Sequence, residues 1–167
     1  VWPEGSSLRR TPVLPAEQNR TSRSIDVTLT PEGSASGTLT RRVVGSGAGR
    51  YRSRFQAEGT RLERLERELG SIFPGLTISE QNFSNLLDNE SPIEITLEAE
   101  IPRFAAATGA GLLLAPSVLQ NLTARLASLP TRHHTLELGP NSGYDELRRV
   151  RIPSNMRFRT IPAGGTA

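Results

Sequence analysis

The sequence predicts an α+β fold that is mainly antiparallel β, β-sandwich-like, with one helical insertion. Residues 21–30 and 93–101 alternate apolar and polar side chains with the period of two that is typical of a half-buried strand. Between them, residues 50–73 place apolar side chains three or four positions apart, which is the spacing of one helix face. The 15 glycines and 12 prolines are spread along the chain, and this favours short elements joined by turns.

The first predicted unit is a β-hairpin. Ile25, Val27 and Leu29 alternate with polar residues, and the tripeptide Pro-Glu-Gly at 31–33 follows directly. Proline presets φ and glycine accepts a positive φ, so this tripeptide is suited to a tight turn. The apolar pattern resumes over residues 36–45, which predicts the second strand of the hairpin.

The helical insertion is expected to follow a loop over the glycine-rich residues 45–49. Gly59 is expected to divide the insertion into two helices. Thr60 is placed to cap the second helix, and Glu63 stands three positions later, where a capping box requires an acidic residue or glutamine.

The later elements and the domain limits follow from the same patterns. Residues 118–129 have helical spacing and predict a short helix or turn. The Pro-rich residues 1–20 predict a linker or entry arm, residues 21–162 a single domain, and residues 163–167 a disordered tail. Further strands are expected at 76–83, 93–101, 111–115, 135–138, 148–152 and 157–161.

The charge pattern leaves a binding role open. All 20 basic residues are arginine, yet 17 acidic residues hold the formal net charge at +3. Arginine binds phosphate through two parallel hydrogen bonds, so Arg41, Arg42 and the arginines of residues 50–54 make an anionic polymer, nucleic acid or polysaccharide, the alternative partner. The alternation of arginine and glutamate over residues 61–67 is typical of a solvated helix surface, which favours a structural use of these charges.

No combination of residues points to catalysis, a metal or a cofactor. The chain has no cysteine, and His133 and His134, its only histidines, would point to opposite faces of a strand and chelate one metal poorly. Asp26, Asp88 and Asp145 are candidate catalytic acids by residue type alone. The glycine-rich residues 45–49 lack the Gly-Lys-Ser/Thr ending of a nucleotide-binding loop.

The longest apolar stretch, residues 105–115, is well short of the ~20 residues that span a bilayer, so no membrane insertion is expected. The chain opens on Val1 without a methionine or a signal peptide. We therefore expect a segment of a longer polypeptide, with its targeting information elsewhere.

Several pieces, taken in order, resemble the β-sandwich accessory domain of unknown function that follows the transglutaminase-like core in bacterial multidomain proteins. These pieces match that domain in short patterns of apolar residues, proline and glycine. They are the dipeptides at 2–3 and 14–15, the strand and turn at 25–33, the segment 49–55 with the helix at 62–75, the strand at 93–101, and the pieces at 129–130, 132, 136–139 and 152–153.

The resemblance implies a non-catalytic structural or interaction domain that packs against, or shapes, a neighbouring transglutaminase-like core of the same polypeptide. That core's nucleophilic cysteine is not in this chain, so no catalytic residue is carried over. Trp2, Arg132 and His133 are the expected interdomain contacts, because Trp and Arg are enriched at interface hot spots. A periplasmic or cell-envelope location is favoured.

Overall fold

The computed structural model describes residues 13–115, 131, 135 and 141–161. These residues form an α+β fold with mostly antiparallel sheet and two helices, as the sequence predicts. In chain order the elements are a 3₁₀ turn (Ala16–Gln18), β1 (Arg20–Leu29), β2 (Ala35–Val43), α1 (Ser46–Phe55), a 3₁₀ turn (Glu58–Thr60), α2 (Arg61–Gly70), β3 (Thr77–Ser84), β4 (Ile93–Ile101), β5 (Ala105–Thr108), β6 (Gly111–Leu114) and β7 (Gly143–Arg151).

The main sheet has five strands in the order β3-β4-β2-β1-β7. β1 and β2 form the predicted antiparallel hairpin, in which Ile25 lies opposite Leu39. β4 pairs with both β2 and β3, and these pairings are also antiparallel. β7 instead runs parallel to β1 and forms the edge of the sheet opposite β3. β5 and β6 form a separate two-stranded hairpin.

The hydrophobic core lies between one face of this sheet and the two helices. The helices contribute Phe55, Leu65 and Leu69, and Phe55 packs on Phe83 of β3 with tilted rings whose centroids are 5.2 Å apart. In β1, β2 and β4 the side chains on the opposite face of the sheet are polar and none of them is buried, as the alternation requires. The strand residues buried on this face of the sheet are Ile25, Val27, Leu29, Ala35, Leu39, Val43, Ile93, Ile95, Leu97, Ala99 and Ile101.

The prediction of a loop over residues 45–49 is wrong, because α1 already begins at Ser46. Its first turn is capped from outside the helix by the buried side chain of Asn19. The Asn19 Oδ1 accepts hydrogen bonds from the Ser46 backbone N–H (3.1 Å) and the Ser46 hydroxyl (2.8 Å). Gly45 turns the chain into the helix with φ +77°, and a Cβ there would lie 2.3 Å from the Gln18 carbonyl oxygen.

Two further local predictions are wrong. Thr60 makes no capping bond to α2, since its hydroxyl donates back to the Ala57 carbonyl at 3.2 Å, so the capping box with Glu63 does not form. Residues 157–161 do not form a strand. The predicted helix at 118–129, nearly all of the strand predicted at 135–138, and the tail at 163–167 lie outside the described residues.

Replacing Asn19 by alanine is expected to lower the free energy of unfolding by about 1–3 kcal/mol, because two donors of Ser46 lose a buried acceptor. The Asn19 amide also donates to the Asn141 carbonyl at 2.5 Å, so the same change loosens the entry to β7. Urea unfolding of Asn19→Ala beside the exposed control Asn82→Ala measures the difference. Equal midpoints for the two variants would contradict the capping role.

Candidate functional site

A group of charged side chains lies on the inward, helix-facing side of the sheet, where the alternation otherwise places apolar residues. β1 contributes Arg23 and β2 contributes Arg41, each in phase with buried aliphatic neighbours. β7 contributes Glu146 opposite Arg23 and Arg148 opposite Ile25. With their partners these residues form an arginine cluster, which comprises Arg23, Arg41, Tyr51, Arg54, Glu68, Tyr144, Glu146 and Arg148.

One half of the cluster joins β2 to both helices through Glu68 of α2. The Arg41 Nη1 donates to the Glu68 Oε1 at 2.5 Å and to the Tyr51 hydroxyl at 3.3 Å. The Arg54 Nη1 lies 3.0 Å from the other carboxylate oxygen, Oε2. Burial alone would lower the pKa of Arg41, but the negative charge of Glu68, and of Tyr51 when ionised, outweighs it and raises that pKa.

The other half joins β1 to β7 around Glu146, whose side chain is only 4% exposed. The Arg148 Nε donates to the Glu146 Oε1 at 2.7 Å, and the Arg23 Nη1 lies 3.7 Å from Oε2. The Arg23 guanidinium also lies over the Tyr144 ring, 5.9 Å from its centroid. Partial burial raises the pKa of Tyr144 although Arg23 and Arg41 act in the opposite direction.

The chemistry this arrangement offers is anion recognition. Arg23 and Arg41 line a small cavity between α2 and the sheet, about 20 Å³ in volume, with mostly aliphatic walls. A volume of that size holds about one water molecule. Guanidinium groups are donors only and remain charged at any ordinary pH, so they position and stabilise negative charge.

The acidic residues considered as catalytic candidates have structural partners. Asp26 pairs with Arg151, and Asp145 pairs with Arg20 at 2.8 Å, both on the outward face of the sheet. Asp88 accepts hydrogen bonds from two backbone N–H groups of its own turn. In the part of the chain that the structure describes, no three His, Cys, Asp or Glu side chains converge as metal ligands.

The arginines considered for an anionic polymer divide into two groups. Arg41 and Arg54 bind Glu68, and the Arg52 guanidinium donates at 2.5 Å to a carbonyl of the loop between β3 and β4. Arg42 and Arg50 are exposed. The predicted basic surface is therefore not continuous, because Arg41, Arg52 and Arg54 form contacts within the fold.

Trp2, Arg132 and His133, the predicted interdomain contacts, all lie outside the described residues, so their contact role stays a prediction. Sequence reasoning missed Arg23 and Glu146. A signal for Arg23 was present, since it stands two positions before Ile25 and so has the parity of the buried side of β1.

No family model, no curated protein and no solved structure matches this chain. Of the helices in residues 13–115 and 141–161, none has both the length and the apolar character needed to cross a membrane.

Proposed function

We propose that this chain is a non-catalytic interaction domain of a larger bacterial protein, and that it docks a neighbouring domain of the same polypeptide along the β7 edge of its sheet. β7 is the last strand of the sheet order, and no described strand pairs with its outer edge. An unpaired strand edge presents free N–H and C=O groups that can accept a partner strand.

The observation that carries this proposal is the exposure of apolar side chains on β7 and on the segment after it. Leu147 shares the outward face with Ser24 and is 49% exposed, and Phe158 and Ile161 are 51% and 71% exposed. A contiguous patch of such side chains is typical of a binding surface, and the proposal places these three residues in one patch. A sheet edge with apolar neighbours is the arrangement that β-strand addition uses.

The chain entering the sheet adds to the same edge. Val13 and Leu14 are exposed and precede the 3₁₀ turn, whose Ala16 carbonyl lies close beside Gly143 at the start of β7. The Asn19 carbonyl accepts a 2.8 Å hydrogen bond from the Gly143 N–H, which fixes this arrangement. The proposed docking surface therefore extends from the entry segment along β7.

The partner we propose is the transglutaminase-like core that the sequence resemblance implies. Arg149 and Arg151 are exposed beside Leu147 and share one carboxylate, that of Asp26. A partner segment that is apolar with flanking acidic side chains would complement this edge. The binding of an anionic polymer has less support, because arginines of the predicted basic surface are engaged within the fold.

The test is calorimetric titration of this domain against the remainder of its polypeptide, with Leu147→Glu as the variant and Leu113→Glu as the matched control. Leu113 is 64% exposed on the separate β5–β6 hairpin, so its replacement leaves the β7 edge intact. We expect Leu147→Glu to weaken binding by about tenfold or more, as replacement of an interface anchor does, and Leu113→Glu to leave it unchanged.

Two outcomes would contradict the docking proposal. The first is no binding by the folded wild-type domain, and the second is equal weakening by the two variants. Tight binding of nucleic acid or an acidic polysaccharide that falls steeply with salt would favour the anionic-polymer function in its place.

A further inference from the structure

The inward face of β7 carries charged side chains at positions where β1, β2 and β4 carry mostly aliphatic ones. None of the nine residues of β7 is buried, whereas each of those three strands has at least three buried residues. Val150, opposite Val27, is the only aliphatic side chain of β7 on the inward face, and it is half-buried. Because burial of apolar surface is the main source of stability, β7 gains little from the core.

The charged contacts on this inward face hold β7 to β1 only weakly. The Arg23 Nη1 of β1 lies 3.7 Å from the Glu146 Oε2, beyond hydrogen-bond distance. The shorter contact of Glu146, at 2.7 Å from the Arg148 Nε, lies within β7 itself. The Nε and Nη1 of Arg23 and the Nη2 of Arg148 are buried without a hydrogen-bond acceptor among the described residues. Water would reach these donors if β7 moved away from β1, so their hydration favours an opened strand.

On the outward face, ion pairs that water can reach join β7 to β1. Asp145 pairs with Arg20 at 2.8 Å, and Arg149 and Arg151 share the carboxylate of Asp26. The arginine side chains of these pairs are 39–65% exposed. Exposed ion pairs contribute little to stability, and dissolved salt weakens them. The backbone hydrogen bonds to β1 are therefore the main link that holds β7 in the sheet.

The opposite edge of the sheet provides a comparison. β3 is also an edge strand, and none of its residues is fully buried. It differs from β7 because its inward side chains include Phe83, which packs against the buried ring of Phe55, and Ile78, which also packs against the core. The weak attachment of β7 is therefore a property of its inward charges and not of every edge strand in this sheet.

We propose that β7 is a detachable strand, which leaves β1 as one unit while β1, β2, β3 and β4 stay paired. Proteins open locally in cooperative units, and units with few buried apolar contacts open at the lowest free energy. The docking surface includes β7, so a docked neighbour holds the strand on the sheet, and docking and closure of β7 favour each other. The release of β7 is a property of this domain alone, whereas its coupling to docking rests on the proposed function.

The experiment measures amide hydrogen exchange of the whole chain by NMR at constant pH, in about 50 mM and about 500 mM NaCl. We expect the β7 amides bonded to β1 to share one protection factor, about tenfold or more below those of the hydrogen-bonded amides in β3 and β4. The β1 amides bonded to β7 should share that low value, while the β1 amides bonded to β2 keep the high one. The higher salt concentration should lower the protection of β7 by about threefold and leave that of β4 unchanged.

Glu146→Gln is the variant that weakens the closed strand, because Arg23 and Arg148 lose a carboxylate that is only 4% exposed. We expect the protection of β7 to fall by a further tenfold or more and that of β4 to stay unchanged. Glu80→Gln on the exposed face of β3 is the matched control and should leave both strands as they are. Addition of the remainder of the polypeptide at saturation should raise the protection of β7 in the wild type.

Three results would overturn the release of β7. The first is equal protection of β7 and β4, and the second is protection that declines gradually toward the ends of β7, which marks fraying instead of release as a unit. The third is an equal loss in β7 and β4 in Glu146→Gln, because β7 would then open only when the whole domain unfolds. If Glu146→Gln does not fold, the two classes of β1 amide in the wild type decide the question. A low protection of β7 that bound neighbour leaves unchanged would overturn the coupling to docking alone, whereas absence of binding in the titration would contradict the proposed function.

Discussion

Replacing Phe55 by alanine is expected to lower the free energy of unfolding by about 3–5 kcal/mol, the usual cost of a large cavity in a packed core. Phe55 is the last residue of α1, and none of its surface is exposed. Its ring packs 5.2 Å from that of Phe83 and 6.2 Å from that of Tyr51, and the Arg54 guanidinium lies over it at 5.5 Å. The ring therefore joins helix and sheet, and its removal leaves a cavity between them.

The measurement is urea unfolding followed by circular dichroism, with Leu87→Ala as the control. Leu87 is 88% exposed, so its truncation should change stability by no more than about 0.5 kcal/mol. A Phe55→Ala loss as small as that of Leu87→Ala would mean that α1 does not pack on the sheet in solution.

Alternation predicted the central strands closely because each has one buried and one solvated face. β4 runs from Ile93 to Ile101 as predicted, and β1 begins one residue before the predicted strand. Such a strand must place every second side chain in the core, so the first and last residues of the alternating pattern indicate where the strand begins and ends. The helical insertion was predictable for the same reason, since α2 buries one stripe through Leu65 and Leu69.

Elements fixed by distant contacts were not predictable in this way. The glycine-rich start of α1 has low helix propensity, and the acceptor that satisfies its first turn is the side chain of Asn19, 27 positions from Ser46. The sequence around Ser46 gives no indication of such a partner. β7 begins at Gly143, five residues before the predicted start, because its first half carries Tyr144 and Glu146 at inward positions where alternation expects apolar residues.

The arginine cluster illustrates the same limit at the candidate site. Arg23 and Arg41 have the parity of the buried side of their strands, although Arg41 was expected on a binding surface, and their partners come from other elements. Glu68 lies on α2 and Glu146 on β7. Neither glutamate stands at a sequence spacing from Arg23 or Arg41 that would indicate an ion pair. A sequence pattern can therefore mark a buried charge, whereas only the packed fold identifies its counterion.

Removing the carboxylate of Glu68 is the second change for which we expect a large effect. In Glu68→Ala the Arg41 guanidinium, 8% exposed, loses its only close anion among the described residues. Loss of one partner from a buried ion pair costs about 3–5 kcal/mol. The Glu68 side chain is itself 21% exposed, and water can partly replace it, so we expect about 3 kcal/mol.

The same helix carries a matched control in the pair of Glu63 and Arg67. Their side chains are 67% and 72% exposed and their charged atoms lie 2.5 Å apart, the same distance as in the pair of Glu68 and Arg41, but both residues belong to one helix. An exposed pair of this kind contributes about 0.3–0.5 kcal/mol. Urea unfolding of Glu63→Ala beside Glu68→Ala therefore compares an exposed pair within one helix with a buried pair between elements, and equal losses would show that Arg41 is well hydrated in solution.

A double variant distinguishes two reasons for the loss of stability in Glu68→Ala. One is the loss of the ion pair itself, and the other is that Arg41 is left buried without a carboxylate. In Arg41→Met with Glu68→Leu both charges are replaced by apolar side chains of similar length, and such replacements are often neutral. We expect this variant to be more stable than Glu68→Ala alone, because no buried guanidinium is then left without a carboxylate. If the double variant is instead the less stable of the two, the hydrogen bonds from Arg41 to Glu68 and Tyr51 stabilise the packing of α1 and α2 directly. Either ranking identifies which property of the arginine cluster holds the helices on the sheet.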